Sequence, residues 1–140
     1  MPEDGLEVTV SIWAMHSLHS DWHREVNVVY RGSRISKRLF EDTGWWRGSN
    51  LYRHTSGAYV IHEGQNGCFS FTVDPLEFAD TPSGVCEKSE TTDQIGDGSR
   101  YYPELTYLGQ FHETYRDEDG IRLRFLAPQD MPEVELPDPL

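Results

Sequence analysis

Residues 50–73 read NLYRHTSGAYVIHEGQNGCFSFTV, and this stretch decides the fold class. It contains three short runs rich in β-branched and aromatic residues, which are the residue types that favour strands. The first turn is TSG at 55–57, where glycine permits the positive φ of a tight hairpin, and the second contains the Asn-Gly pair at 66–67. The stretch therefore predicts a three-stranded antiparallel meander.

The segments before the meander continue the strand pattern. Residues 6–13 (LEVTVSIW) alternate between apolar and polar side chains, and residues 25–31 (EVNVVYR) place Val26, Val28 and Tyr30 on one face. A period of two is typical of a half-buried strand. Residues 34–42 fit either a basic strand or a short helical piece, and the sequence leaves both open.

After the meander the pattern fails. Asp74-Pro75 is expected to end the ladder, because proline has no N–H to donate. The following residues up to 103 are rich in proline, glycine and acidic side chains and contain few large apolar ones. We expect a long acidic surface loop over 74–103, with a helical turn at 75–79 as the alternative for its first residues.

Alternation returns at residues 105–115 and again at 121–125, on either side of a turn at 117–120. Gly109 falls in register within the first of these runs and suggests a β-bulge. The chain thus predicts one mainly β domain over 1–126. Its six or seven antiparallel strands form a small barrel or sandwich, with one short helix as an alternative. The tail, 127–140, has four prolines and four acids in 14 residues and is expected to be extended or disordered.

Charge is the strongest signal in the composition. The 12 basic and 24 acidic residues give a net charge of −12. Residues 51–140 carry 11 of these 12 excess negative charges, whereas basic residues gather between 24 and 47. A negative field repels nucleic acid and anionic membranes, and it steers basic partners towards the acidic side. Acidity that only keeps the protein soluble is the alternative.

The two cysteines, Cys68 and Cys86, are interpreted as reduced thiols. Secreted scaffolds of this size normally carry more cysteines, and the chain contains no Cys-x-x-Cys pair. Residues 1–5 (MPEDG) lack the basic start and apolar run of a secretory signal. No run of about 18 apolar residues could span a membrane. We therefore expect a cytoplasmic protein without membrane contact.

Three histidines form the one candidate metal site. His16, His19 and His23 are spaced so that one face of a helix could present all three imidazoles to a zinc ion. The neighbouring segments read as strands, so a polar loop that happens to contain histidines is the favoured interpretation. We expect no metal and no other cofactor, because the chain has no phosphate-binding loop, dinucleotide fingerprint or zinc-protease motif.

These observations favour a non-enzymatic binding protein that engages a basic surface of a partner protein. That partner could be a nucleic-acid-binding protein whose channel the acidic chain occupies as a DNA mimic, in the manner of small inhibitors from phages and mobile elements. Trp46 could serve as an apolar anchor, since exposed tryptophans are frequent in contact hot spots. The residues expected to bind the partner are Asp74, Glu77, Asp80, Glu87, Glu90, Asp93, Asp97, Asp117, Glu118, Asp119 and Trp46.

Two alternatives from other classes remain. The first is a small-ligand-binding barrel or an enzyme, with a pocket lined by aromatic and histidine side chains. The second is a metal protein that uses the three histidines named above. A deep pocket holding two or more histidines would favour the first, and elemental analysis would decide the second.

Overall fold

The computed structural model describes residues 5–14, 22–38, 49–64, 67–79, 85–87, 98–117 and 120–134. This part of the chain is mainly β, and no helix occurs in it. The antiparallel β fold predicted from the sequence is therefore confirmed. Nine strands are described, where six or seven were expected: β1 (Leu6–Ala14), β2 (Trp22–Tyr30), β3 (Ser33–Arg38), β4 (Ser49–His54), β5 (Tyr59–His62), β6 (Cys68–Val73), β7 (Leu76–Ala79), β8 (Leu105–Asp117) and β9 (Gly120–Leu126).

The strands form two antiparallel sheets. The first contains β1, β2 and β3, and the second contains β4 to β9 in the order β9-β8-β4-β5-β6-β7. A single residue pair, Ile12 with Ile121, joins β1 to β9 and connects the sheets. The edge strands at the other end, β3 and β7, lie close together, and the Lys37 ammonium sits 5.8 Å from the centre of the Phe78 ring.

The space between the two sheets holds the larger hydrophobic core, which we call the inner core. Alternation explains its composition, because every second side chain of a strand faces the same way. On β1 and β2 the inward residues are buried and the residues between them are more exposed, as the sequence predicted. The inner core consists of Leu6, Val8, Val10, Val26, Val28, Leu51, Tyr59, Ile61, Phe71 and Phe111.

The opposite face of the six-stranded sheet carries a second hydrophobic group, which we call the outer cluster. Strand residues contribute part of it, and segments 85–86 and 102 cover them from outside. Tyr52 and Tyr102 meet edge to face with ring centroids 5.5 Å apart. The members of the outer cluster are Tyr52, Val60, Val85, Cys86, Tyr102, Leu105 and Tyr107.

The prediction that Asp74-Pro75 ends the ladder is wrong. The two residues form a turn with a cis peptide bond, and β7 returns antiparallel to β6. Pro75 lies in the turn and not in the ladder, so its missing N–H costs no strand hydrogen bond. Its carbonyl oxygen accepts a hydrogen bond from the Thr72 hydroxyl at 2.6 Å. The helical turn considered at 75–79 is therefore a strand over most of its length.

The prediction of reduced thiols is also wrong, because Cys68 and Cys86 form a disulfide. Cys68 points out from β6 towards the outer cluster, and Cys86 is buried in that cluster. Their Cα atoms lie 6.3 Å apart, within the usual range for a disulfide. The sequence did not indicate the pair, because the two cysteines are 18 positions apart and meet only after the chain has passed through β7.

The bulge expected at Gly109 is confirmed. The register of β4 against β8 shifts between Leu51 and Tyr52, which pair with Gly109 and Tyr107. Gly109 has a φ of 142°, and a Cβ atom at this position would lie 2.5 Å from the Phe125 ring. Only glycine fits here without moving β9.

Candidate functional site

Three of the carboxylates expected to bind a partner are described, and all three are exposed. Asp74 and Glu77 flank the β6–β7 turn, whereas Glu87 follows the disulfide-bonded Cys86 at the opposite end of β6. The length of β6 separates these two groups by about 17 Å, which exceeds the screening length of about 8 Å at physiological ionic strength. The described members of the predicted binding set therefore lie in two separate places and not on one surface.

The side chains of the other predicted partner-binding residues lie outside the described part of the structure. Asp117 ends β8, and its side chain lies outside the described part. The remaining positions lie wholly outside the described residues: Trp46, Asp80, Glu90, Asp93, Asp97, Glu118 and Asp119. Their role stays a prediction.

The negative charge is distributed unevenly along the chain. Residues 1–50 contain 7 acidic and 6 basic residues, a net charge of −1. Residues 51–140 contain 17 acidic and 6 basic residues, a net charge of −11. Nearly all of the excess charge thus belongs to the part of the chain after residue 50.

The histidine metal hypothesis stays untested. His16 and His19 lie outside the described residues, and for His23 only the backbone position in β2 is described. Within the part of the chain that the structure describes, no group of three metal-binding side chains occurs.

A row of polar side chains crosses the outer face of the six-stranded sheet. His62 of β5, Asn50 of β4 and Gln110 of β8 are direct neighbours in register, and all three are buried. Buried amides require hydrogen-bond partners, since an unsatisfied one costs about 1–3 kcal/mol. Asn50 and Gln110 bond to each other at 2.6 Å, and Nδ1 of His62 accepts the backbone N–H of Gly64 at 2.9 Å.

The hydrogen bonds of this row form a chain that begins at the tail. The Asn50 amide nitrogen Nδ2 donates to the carbonyl oxygen of Val134 at 3.2 Å and to the Tyr52 hydroxyl at 3.1 Å. Gln110 Nε2 donates to Asn50 Oδ1 at 2.6 Å. The Gln110 oxygen Oε1 then meets His112 Nδ1 at 3.2 Å. His112 is half-buried, so the chain leads from the covered face to the surface.

The tail residues up to 134 lie against the outer cluster. The Glu133 carboxylate accepts hydrogen bonds from the Ser99 hydroxyl and, at 2.7 Å, from the backbone N–H of Arg100. The Tyr107 hydroxyl donates to the carbonyl oxygen of Met131 at 2.7 Å. These contacts place 131–134 on the sheet, while 135–140 lie outside the described residues.

Burial and charge affect the two tyrosines beside the tail. Burial, and then the negative charge of Glu133, raises the pKa of Tyr107 to about 12. The same two causes, in the same order, raise the pKa of Tyr52 above its ordinary value. Both hydroxyls therefore remain protonated donors at neutral pH.

Sequence reasoning missed the main members of this site. Asn50 and Gln110 were placed in strands, but nothing in the sequence pairs them across 60 positions. Glu133 was assigned to a tail without contacts. The available signal was that large apolar or aromatic side chains, Tyr52, Val60 and Tyr107, also occupy outward positions of these strands, which indicates a second covered face.

Comparisons with known proteins add no identity. No protein-family model, curated protein or solved structure matches this chain. The described part of the chain contains no helix of the length and apolarity that a membrane crossing requires.

Proposed function

We propose that this chain is a non-enzymatic acidic binding protein that engages a basic surface of a partner protein. The observation that carries the proposal is the uneven charge along the chain, a net −1 on residues 1–50 against −11 on residues 51–140. A β domain whose acidic residues are concentrated in one part of the chain is suited to present carboxylates to a basic partner. Charge spread evenly for solubility would not require this asymmetry.

The carboxylates would act mainly on the rate of association. Long-range attraction between opposite charges raises the association rate, and dissolved salt screens it. We therefore expect the affinity for the partner to fall as ionic strength rises. Asp74, Glu77 and Glu87 are the described members of the proposed binding set, and all of them are exposed.

Within this proposal, the chain inhibits a nucleic-acid-binding protein by occupying its basic channel as a DNA mimic. Duplex DNA would then compete with the chain for the captured partner. A cytoplasmic location was expected partly because the thiols were interpreted as reduced, and the Cys68–Cys86 disulfide removes that support. Location in the cytoplasm thus remains a prediction, and cell fractionation tests it.

The test compares two charge-reversed variants with the same net charge. In the first, Glu87, Glu90, Asp93 and Asp97 are changed to lysine. In the matched control, four described acids outside the predicted binding set, Glu7, Glu25, Glu104 and Asp130, are changed to lysine. Affinity capture from the native host at low and high salt, followed by competition with duplex DNA, measures the retained partner.

We expect the first variant to lose the partner and the control to retain most of it. Equal losses would show that only net charge matters, and unchanged capture by both variants would end the proposal. A partner that is retained at high salt would likewise contradict an electrostatic mode of binding.

A second candidate is a small-molecule binder or enzyme that uses the outer face of the sheet. The observation in its favour is that His62 and His112 both border the Asn50–Gln110 pair, beside three buried tyrosines. Polar groups that converge beside aromatic side chains are typical of ligand sites. Screening a metabolite library by ligand-observed NMR tests this candidate. The absence of any binder whose affinity falls in a Gln110→Leu variant would contradict it.

A further inference from the structure

The hydrogen-bond chain across the outer face has only one possible direction. The carbonyl oxygen of Val134 can only accept, so Asn50 must turn its Nδ2 towards the tail and its Oδ1 towards Gln110. Gln110 must then offer its Nε2 to Asn50, which leaves its Oε1 facing His112. An amide oxygen can only accept, so Nδ1 of His112 must carry the proton.

This tautomer distinguishes His112 from the other histidines whose side chains are described. Nδ1 of His62 accepts the backbone N–H of Gly64 at 2.9 Å, and Nδ1 of His54 accepts that of Ser56 at 3.2 Å. Their neutral rings therefore carry the proton on Nε2. His112, by contrast, presents a bare Nε2 that can accept a hydrogen bond. Among the described residues, His112 has no second hydrogen-bond partner.

Arg124 lies directly opposite His112. The two are partners in the register of β8 against β9, so their side chains leave the same face with Cβ atoms about 5 Å apart. Arg124 is exposed and forms no ion pair with another described residue. The pair thus combines a fixed acceptor nitrogen with a guanidinium that carries several donors.

We propose that His112 and Arg124 form a binding site for an oxyanion that carries a proton at neutral pH, namely hydrogen phosphate. The oxyanion oxygens accept hydrogen bonds from the Arg124 guanidinium, and the P–OH group donates to Nε2 of His112. The site uses none of the carboxylates of the proposed binding set and gives a ligand class to the second candidate above. Its test measures phosphate binding, so its failure is distinguishable from a failure of partner binding.

The site has both basic and acidic residues as its neighbours along β8 and β9. Arg124 faces His112 from β9, and Arg122 follows at the next outward position with its side chain outside those described. Along β8, Glu113 is the next residue, and its side chain is also not described. The tests are made at physiological ionic strength, where dissolved salt screens the more distant carboxylates because the screening length is about 8 Å.

Hydrogen phosphate and sulfate separate this proposal from simple attraction of anions. Both are dianions at about pH 8, but only hydrogen phosphate keeps a proton to donate to Nε2 of His112. The probes are sodium phosphate and sodium sulfate at equal ionic strength, added to the full chain and followed by amide and imidazole 15N NMR. We expect saturable shifts at His112 and Arg124 with phosphate, and about tenfold weaker binding of sulfate, the effect of one lost hydrogen bond.

Variants assign the two halves of the site. Arg124→Gln should abolish phosphate binding, whereas Arg34→Gln, which removes an exposed arginine from β3, should leave it unchanged. Gln110→Leu removes the acceptor that fixes the ring, so phosphate should lose its preference over sulfate while Arg124 still binds both. The wild-type imidazole should show a protonated Nδ1 and a bare Nε2.

Several outcomes would overturn the proposal. A ring that carries its proton on Nε2 would refute the direction of the hydrogen-bond chain, whatever binds. Equal affinities for phosphate and sulfate would refute the ligand class. So would the absence of a saturable shift up to about 50 mM phosphate, a concentration far above the dissociation constant expected of a specific site. Binding that survives Arg124→Gln would place the anion elsewhere.

Discussion

The inner core and the outer cluster occupy opposite faces of the same strands, yet they are built differently. On β4 and β5, Leu51 and Ile61 face the inner core, while Tyr52 and Val60 face the outer cluster. Strands alone, mostly with aliphatic side chains, build the inner core. The outer cluster contains three tyrosines and lies beside the polar row, and it is completed by segments that are far from β4 and β5 in sequence. One face thus depends on strand alternation and the other on long-range covering contacts.

The largest expected effect on the free energy of unfolding comes from removing an aromatic ring from the inner core. Phe71 is buried, stacks on Tyr59 with centroids 5.1 Å apart, and meets Phe78 edge to face. Phe71→Ala should lower the free energy of unfolding by about 3–5 kcal/mol, because it removes apolar contacts and leaves a cavity. Urea unfolding followed by circular dichroism measures the change.

Phe69→Ala is the matched control for that variant. Phe69 lies on the same strand but is only partly buried, with the Lys37 ammonium 4.9 Å from its ring centre. Its loss should cost less than half as much, since less area returns to water. Equal costs for the two variants would contradict the assignment of Phe71 to the centre of the inner core.

The second-largest expected effect on stability is that of removing the disulfide, which links β6 to a segment that covers the outer cluster. The Cys68–Cys86 disulfide closes a loop with a sequence separation of 18, so its removal should cost about 3 kcal/mol through the entropy of the unfolded chain. The Cys68→Ser/Cys86→Ser double variant, unfolded in urea, measures this cost. Wild-type protein in excess dithiothreitol should be destabilised by a similar amount, and a double variant as stable as oxidised wild type would contradict the prediction.

The difference between the two faces also explains which parts of the fold could be predicted from the sequence. Alternation at Val8, Val28 and Ile61 identified the strands of the inner core, because a local pattern reports which face is buried. Gly109 identified the bulge for the same local reason. The outer cluster depends on contacts between positions such as Asn50 and Val134, which no local pattern encodes. The β7 strand was missed because a proline in a turn looks the same in sequence as a proline that ends a ladder.

The candidate site was predicted less well than the fold. Predicted partner-binding carboxylates were chosen by charge density, and charge density carries no information about position in space. Asp74 and Glu87 are close in sequence terms but lie at opposite ends of β6. The polar row was missed because its members become neighbours only through strand pairing.

A smaller effect is expected where the tail meets the outer cluster. Glu133→Gln removes the charge from a carboxylate that accepts from Ser99 and Arg100, and it turns an amide N–H group towards one of these donors. The cost should be about 1–2 kcal/mol, since hydrogen bonds to charged groups are stronger than neutral ones. Asp130→Asn, an exposed change in the same tail, is the control and should cost less than about 0.5 kcal/mol.

Hydrogen exchange locates the effect of that variant. In Glu133→Gln, faster exchange should be confined to the amides of 99–107 and 131–134, while the β1–β2 amides keep their protection. Faster exchange throughout both sheets would show that the tail contacts support the whole fold and that the two faces are not energetically distinct.

The smallest effect is a loss of stability at alkaline pH that arises from the outer cluster. In the unfolded chain tyrosine ionises near pH 10, whereas the folded environment raises the pKa of Tyr107 to about 12. Between these values the unfolded chain has released a proton that the folded chain still binds. Stability should therefore fall as pH rises from about 10 to about 12, and Tyr52 should act in the same direction.

Tyr107→Phe isolates the contribution of this one hydroxyl. The variant loses the hydrogen bond to the Met131 carbonyl oxygen, so it should be slightly less stable than wild type at pH about 8. Above pH about 10 its stability should fall less steeply, because one group that ionises more easily in the unfolded chain is gone. Urea unfolding at a series of pH values gives both slopes. Identical slopes would mean that Tyr107 ionises as readily in the folded chain as in the unfolded one, and that the tail does not seal this part of the outer cluster from water.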